Sequence, residues 1–240
     1  MQNTTTIALS RLTAQQRAMD VTATNIANAS TPGYRGARTL FTDWLVRSEG
    51  GQQIAYTQDR ATYRDNAQGP LSHTGNALDL ALSGEGYLTV STANGPRLMR
   101  GGHFELDAQG AIIDGQGNAL LDTAGSPLRI ATADTQLTIA SDGTLSSENG
   151  RIGRIGVVQP DDERHLRSEG GRLFISDGPT QQVARPKVSQ GVIENSNVQP
   201  ALELTRMMNA LREFQFASEF VRTESERQQG AIDKLTQKRM

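Results

Sequence analysis

A chain without cysteine has no thiolate nucleophile, no thiolate metal ligand and no disulfide. Its histidines, His73, His103 and His165, are scattered and leave little for imidazole-based metal binding. His73, in His73-Thr74-Gly75-Asn76, could act as a general base, but nothing near it in sequence orients the ring, so a turn residue is expected. Asp161-Asp162-Glu163 follows Pro160 and gathers three carboxylates, yet the flanking spacing resembles no calcium loop, and a solvated loop is expected. Gly115-Gln116-Gly117 lacks the third glycine and the following helix of a dinucleotide loop and reads as a hairpin. No nucleophile-elbow, zinc-protease or phosphate-loop pattern occurs. The expectation is therefore no catalytic, cofactor-binding or metal site and no cofactor. An enzyme whose site is assembled from distant residues would leave no such trace.

The elements that would carry any site are set by composition. The chain has 240 residues, a formal net charge of −2, 21% charged and 36% hydrophobic residues, and 5% aromatics. That suits one large domain or two small ones with a long, shallow core. The near-neutral charge and dispersed basic residues argue against nucleic acid. No apolar run reaches the roughly 18 residues of a membrane helix, and the opening MQNTTTIALSRLTAQQRAMD has no basic start and apolar core of a cleaved signal peptide.

Glycine divides the chain. Of 24 glycines, 19 lie between Gly69 and Gly191, none lies in residues 1–32, and only Gly230 follows residue 191. Glycine is costly inside helices and favoured in turns, so the ends are helix-compatible and the middle is turn-rich. Leu9, Leu12, Gln16, Met19, Ala23 and Ile26 recur at intervals of 3 and 4, which predicts a helical seam ending at Asn28-Ala29-Ser30-Thr31-Pro32-Gly33. A longer seam runs through Leu204, Met207, Leu211, Phe214, Ser218, Val221, Ser225, Gln228, Ile232 and Leu235, widened by Phe216, Ala217 and Phe220. Pro200 fits its first turn. Glu203/Arg206, Glu219/Arg222 and Glu224/Arg227 are expected as ion pairs on its outer faces. Polar seam residues weaken such helices alone, so the ends are expected to order on packing with other chains.

Between the helices, Leu78/Leu80/Leu82, Leu88/Val90, Phe104/Leu106, Leu128/Ile130 and Leu137/Ile139 alternate with the period of a strand, separated by turn signals such as Gly84-Glu85-Gly86 and Asn94-Gly95-Pro96. The expected fold is α+β and multidomain, with N- and C-terminal helices forming an antiparallel coiled-coil-like domain and an inserted all-β module. The expected division is a terminal helical domain (1–33 and 199–240), an extended or β connector (34–70 and 186–198) and a β-rich domain (71–185).

Three stretches resemble one family. Ala8-Leu9-Ser10-Arg11 followed by Gln16 through Arg35 resembles the N-terminal signature of bacterial flagellar rod and hook proteins. Thr74-Gly75-Asn76-Ala77-Leu78-Asp79-Leu80-Ala81-Leu82 with Gly84-Glu85-Gly86-Tyr87 is similar to the family's first β-domain motif, and Asp142-Gly143-Thr144 with Ile152-Gly153-Arg154-Ile155 to another. Gly191 to Val198, Pro200 and Glu203 to Met208 resemble the C-terminal signature. The sequence departs from the family's usual pattern at Ala23-Thr24-Asn25 and at Gln199, a poorer helix cap.

The resemblance implies a structural subunit of the flagellar basal-body rod rather than an enzyme. A proximal-rod subunit is the first expectation, a distal-rod subunit the second, and a secreted β-rich binding module a third. It implies a periplasmic rod, reached through the flagellar type III export apparatus without a cleaved signal peptide. The implied partners are other rod proteins and copies of the chain itself, with no nucleic acid and no membrane insertion. Leu12, Met19, Ile26, Leu204, Met207, Leu211, Phe214, Val221 and Ile232 are the expected assembly interface. Asn28, Pro32 and Gly33 are the expected turn from helix to connector.

Overall fold

The computed structural model describes residues 2–47, 53–131, 134, 136–170 and 172–237. Among the described residues, two α-helices and a large β-sheet region make the chain α+β. It divides into two compact units: Met1–Ala27 with Gly36–Asp65 and Gln199–Met240, and Asn28–Arg35 with Asn66–Val198.

The first unit holds α1 (Gln2–Ala27), α2 (Pro200–Gln237) and an antiparallel hairpin of Ala37–Arg47 with Gln53–Arg64. The ladder slips by one residue between Leu40 and Phe41, a bulge that increases local twist. The hairpin lies in the stretch read as connector. The helices run antiparallel. Asn25 bonds Glu203 near one end, and Gln15 and Arg11 reach Glu213 further along. Pro200 opens α2, where its missing N–H costs nothing, and the Glu203 N–H donates to the Gln199 carbonyl at 3.0 Å.

Burial selects a different face of α1 from the expected seam. Ala8, Ala14, Thr22 and Asn25 are buried, while Leu9, Gln16 and Ala23 are exposed. On α2 the more buried positions are Glu203, Met207, Ala210, Phe214, Ala217, Ser218, Val221, Glu224, Gln228 and Gly230. Met207, Phe214, Ser218, Val221 and Gln228 belong to the expected seam, whereas its Leu204, Leu211, Ser225 and Ile232 are exposed. Small residues face each other, and alanine lets two helix backbones approach closely where leucine would hold them apart. Leu235 lies where side chains are outside the described residues.

The second unit is a β structure with one extensive antiparallel sheet of eleven strands. Its path runs from Leu166–Glu169 through Leu173–Ser176, Gly95–Met99, Tyr87–Thr92, Ala119–Leu120, Ile112–Asp114, Gly101–Leu106 and Asp79–Leu82 to Val188–Gln190. Leu80, Leu82, Leu88, Val90, Met99, Phe104 and Ile112 form its core with Leu145, Ile155 and Val188. Asp79–Leu82 was expected to alternate, but all four residues are buried because the chain covers both faces of that strand.

Three successive turns repeat one device at Asp107, Asp114 and Asp122. Each aspartate Oδ1 accepts the N–H groups two and four residues on, at 2.7–2.9 Å. Each turn closes on a glycine three residues along; Gly117, for example, has φ +81°, a conformation that costs an L side chain energy. The expected hairpin at Gly115-Gln116-Gly117 is the middle turn.

Candidate functional site

The residues that could do chemistry are engaged structurally. His73 closes the short strand Leu71–His73, paired with Val192, and so is a strand residue where a turn residue was expected. A buried strand at Val192–Glu194 supplies the template that the local sequence does not reveal. His103 Nδ1 lies 2.8 Å from Asp79 Oδ1, and the Thr74 hydroxyl donates to the other oxygen of the same carboxylate. A nucleophilic triad needs the hydroxyl on the imidazole; here it is on the acid, so no nucleophile is activated. The expected acidic loop is absorbed locally. Asp162 caps the short 3-10 helix Glu163–His165, and its bonds from Arg164 hold its carboxyl at about 2. Among the described residues no cluster could hold a metal ion.

The expected turn residues occupy the second unit. The Asn28 carbonyl accepts the Thr31 N–H at 3.0 Å, and the Gly33 N–H donates to the Glu194 carbonyl at 2.7 Å. Gly33 has φ +70°, and a Cβ there would stand 3.3 Å from the Arg100 Cβ, so both backbone conformation and space favour glycine. Pro32 is half-buried between them.

The helices carry the unusual surface. Leu12, Met19, Ile26, Met207, Phe214 and Val221 are half-buried, whereas Leu204, Leu211 and Ile232 are exposed. Leu9, Leu202, Met208, Phe216 and Phe220 add to the exposed set, with Phe216 at 77%. An apolar groove of about 420 Å³ runs along Ile7, Ala8, Phe216, Ala217 and Phe220, flanked by Arg11 and Glu213. Isolated apolar side chains on a surface are ordinary; here several lie together on two helices.

Sequence reasoning missed a polar cluster in the same unit. Glu203, expected on an outer face, is 1% exposed. Its Oε1 accepts from Arg38 at 2.6 Å and from Arg206 at 2.5 Å, and its Oε2 from the Asn25 amide at 3.3 Å. Asn25 also brackets Ala37, donating to its carbonyl at 2.9 Å and accepting its N–H at 2.8 Å. Glu203 turns inward because the hairpin brings Arg38 to it, a partner that helix spacing alone does not show. Glu219/Arg222 and Glu224/Arg227 do form along α2 as expected.

Three family profiles match the chain. "Flagella basal body rod protein" matches residues 6–35, "Flagellar hook protein FlgE/F/G D1 domain" residues 81–147, and "Flagellar basal body rod FlgEFG protein C-terminal" residues 189–233. The chain is 31% identical over 246 residues to the flagellar basal-body rod protein FlgF of Caulobacter vibrioides, covering 98% of each. It is 30% identical to FlgF of Mesorhizobium japonicum, over 99% of this chain and 100% of the relative. It is 28% identical to the rod protein FlgG of Bacillus subtilis, over 88% of this chain and 90% of the relative. The chain belongs to the flagellar basal-body rod protein family. It is a structural subunit of the flagellar basal body, FlgF-like and not an enzyme, working among other rod components. Among the described residues no helix is long and apolar enough to cross a membrane.

Proposed function

We propose that this chain is a proximal-rod subunit that assembles helically with copies of itself through α1 and α2, transmitting torque and lining the export channel. The exposed apolar run on α2, Leu204, Met208, Leu211, Phe216 and Phe220, carries the reading. Burying it between subunits removes apolar area from water at about 25 cal/mol per Å². The two helices act as an antiparallel coiled-coil-like pair, with Leu12, Met19, Ile26, Leu204, Met207, Leu211, Phe214, Val221 and Ile232 packing between subunits. The all-β module (71–185), joined by a connector (34–70 and 186–198) to the helical domain (1–33 and 199–240), contacts neighbouring subunits.

Helices that gain much of their apolar burial from neighbours would complete their packing only on assembly. That suits delivery by the flagellar type III export apparatus to a periplasmic rod without a cleaved signal peptide. Contacts that propagate without closing give a helix rather than a ring. The likeness to the Bacillus subtilis FlgG keeps a distal-rod position as the second reading.

Deletion of the gene followed by electron microscopy of basal bodies tests the proposal. Loss of the proximal rod with membrane rings retained is the expected result. Intact rods would overturn the reading, and loss of the distal segment alone would favour the second.

A further inference from the structure

The hairpin, α1 and α2 enclose a polar cavity of about 300 Å³ in the first unit, lined by Thr22, Asn25, Arg38, Tyr63, Glu203 and Arg206, among others. Its floor is built: Asn25 and Glu203 are each 1% exposed and bonded to each other. Its charge is unbalanced. Two guanidinium groups converge on a single Glu203 oxygen through one nitrogen each. Their remaining N–H groups meet no acceptor among the described residues. Arg38 and Arg206 are part exposed, at 27% and 43%, so those donors face the opening. Guanidinium N–H pairs match a carboxylate in a two-pronged geometry, and one more carboxylate would neutralise the surplus charge.

The same unit offers a suitable acid. Asp20 is exposed on α1, and its carboxylate accepts no hydrogen bond from any other described residue. The α1 residues that line the cavity are Ala18, Val21, Thr22 and Asn25. At 100° per residue, Asp20 points from the opposite side of the helix. Among the described residues, the chain thus carries a surplus cation on one side of α1 and, on the other, a carboxylate with no partner.

We infer that Asp20 of one copy docks in the Arg38–Arg206 cavity of the next. The contact is heterologous, so it propagates from copy to copy instead of closing a dimer. Covering the cavity removes water and strengthens the attraction, and Tyr63 at its rim supplies an amphipathic wall. The inference rests on the reading of the chain as a self-assembling rod subunit.

Cross-linking in purified basal bodies tests it, against a background free of native cysteine. The double variant Asp20→Cys with Thr39→Cys, oxidised in place, should give a ladder of linked copies; either single variant should give none. Separately, Asp20→Asn should keep the thermal unfolding midpoint of the purified chain and reduce rod-complete basal bodies roughly tenfold, as loss of a docked charge pair predicts. A disulfide confined to single chains would overturn the inference, as would full assembly of Asp20→Asn. If the double variant does not assemble, the Asp20→Asn count decides. Rods that persist when the gene is deleted would instead remove the underlying reading.

Discussion

Arg100 donates from Nε to Glu194 Oε2 at 3.1 Å, and neither side chain exceeds 1% exposure. This buried pair fastens the second unit. The other Arg100 nitrogens donate to the carbonyls of Gly86, Leu82 and Gly84, and the guanidinium lies 5.6 Å from the Tyr87 ring centre. Burial lowers the Arg100 pKa and the Glu194 charge opposes that shift. The Glu194 Oε1 accepts the Gly69 N–H at 3.3 Å, and its carbonyl accepts that of Gly33. The turn after α1, the strand before Arg100 and the return segment toward α2 therefore meet at a single ion pair.

Breaking one side of this pair should cost the second unit about 3–5 kcal/mol, because the surviving charge stays buried without its partner. Glu194→Gln and Arg100→Met should each shift the urea midpoint downward. The double variant should lose less than the sum of the two, and strict additivity would contradict a direct coupling.

The three repeated turns should differ in cost. Asp114 is fully buried and also faces Arg172 at 3.6 Å, whereas the Asp122 side of the device is more open. Asp114→Ala leaves two amides without their acceptor and should destabilise by about 2 kcal/mol or more. Asp122→Ala should cost less, since water replaces its carboxylate. Equal midpoint shifts on chemical denaturation would count against this ranking.

A charge on the helix face should separate folding from assembly. Leu211→Glu and Phe214→Glu are expected to leave the β module folded and the chain monomeric, with no motile flagella. Leu211 is exposed, so its variant should lose under 1 kcal/mol of subunit stability. Normal swimming by either strain would show that this face is not an interface.

Glu224 is held down to about 2, first by the Arg227 guanidinium and then by the Gln228 amide. Its folded pKa lies below its unfolded value near 4.5. The stabilisation is therefore present above that value and fades as pH falls toward about 2. Its partner Arg227 is largely exposed, so the effect on overall stability should be small. Carboxyl chemical shifts on titration should show the low midpoint, and Arg227→Ala should raise it; an unchanged midpoint would reject the pairing.

Much of this architecture is legible in the sequence because glycine and period act locally. Gly115 and Gly117 mark a hairpin, and the absence of glycine before residue 33 marks α1. The face that each helix buries is less legible. Leu9 is more apolar than Ala8, yet Ala8 is buried and Leu9 exposed, since close helix approach selects for small size. The polar cluster was hidden for a different reason. Glu203 and Arg206 look like an ordinary surface pair until Arg38 and Asn25, far away in sequence, arrive through the fold. His73 is likewise made a strand residue by a partner more than a hundred residues distant.

The central claim is that the apolar face of α2 is covered by neighbouring subunits, and cysteine protection reads it directly. Leu211→Cys should react with a maleimide in the purified subunit and be protected in intact basal bodies. Gln109→Cys, exposed on the β unit, should react in both. Equal labelling of Cys at position 211 in the free and assembled states would contradict the account.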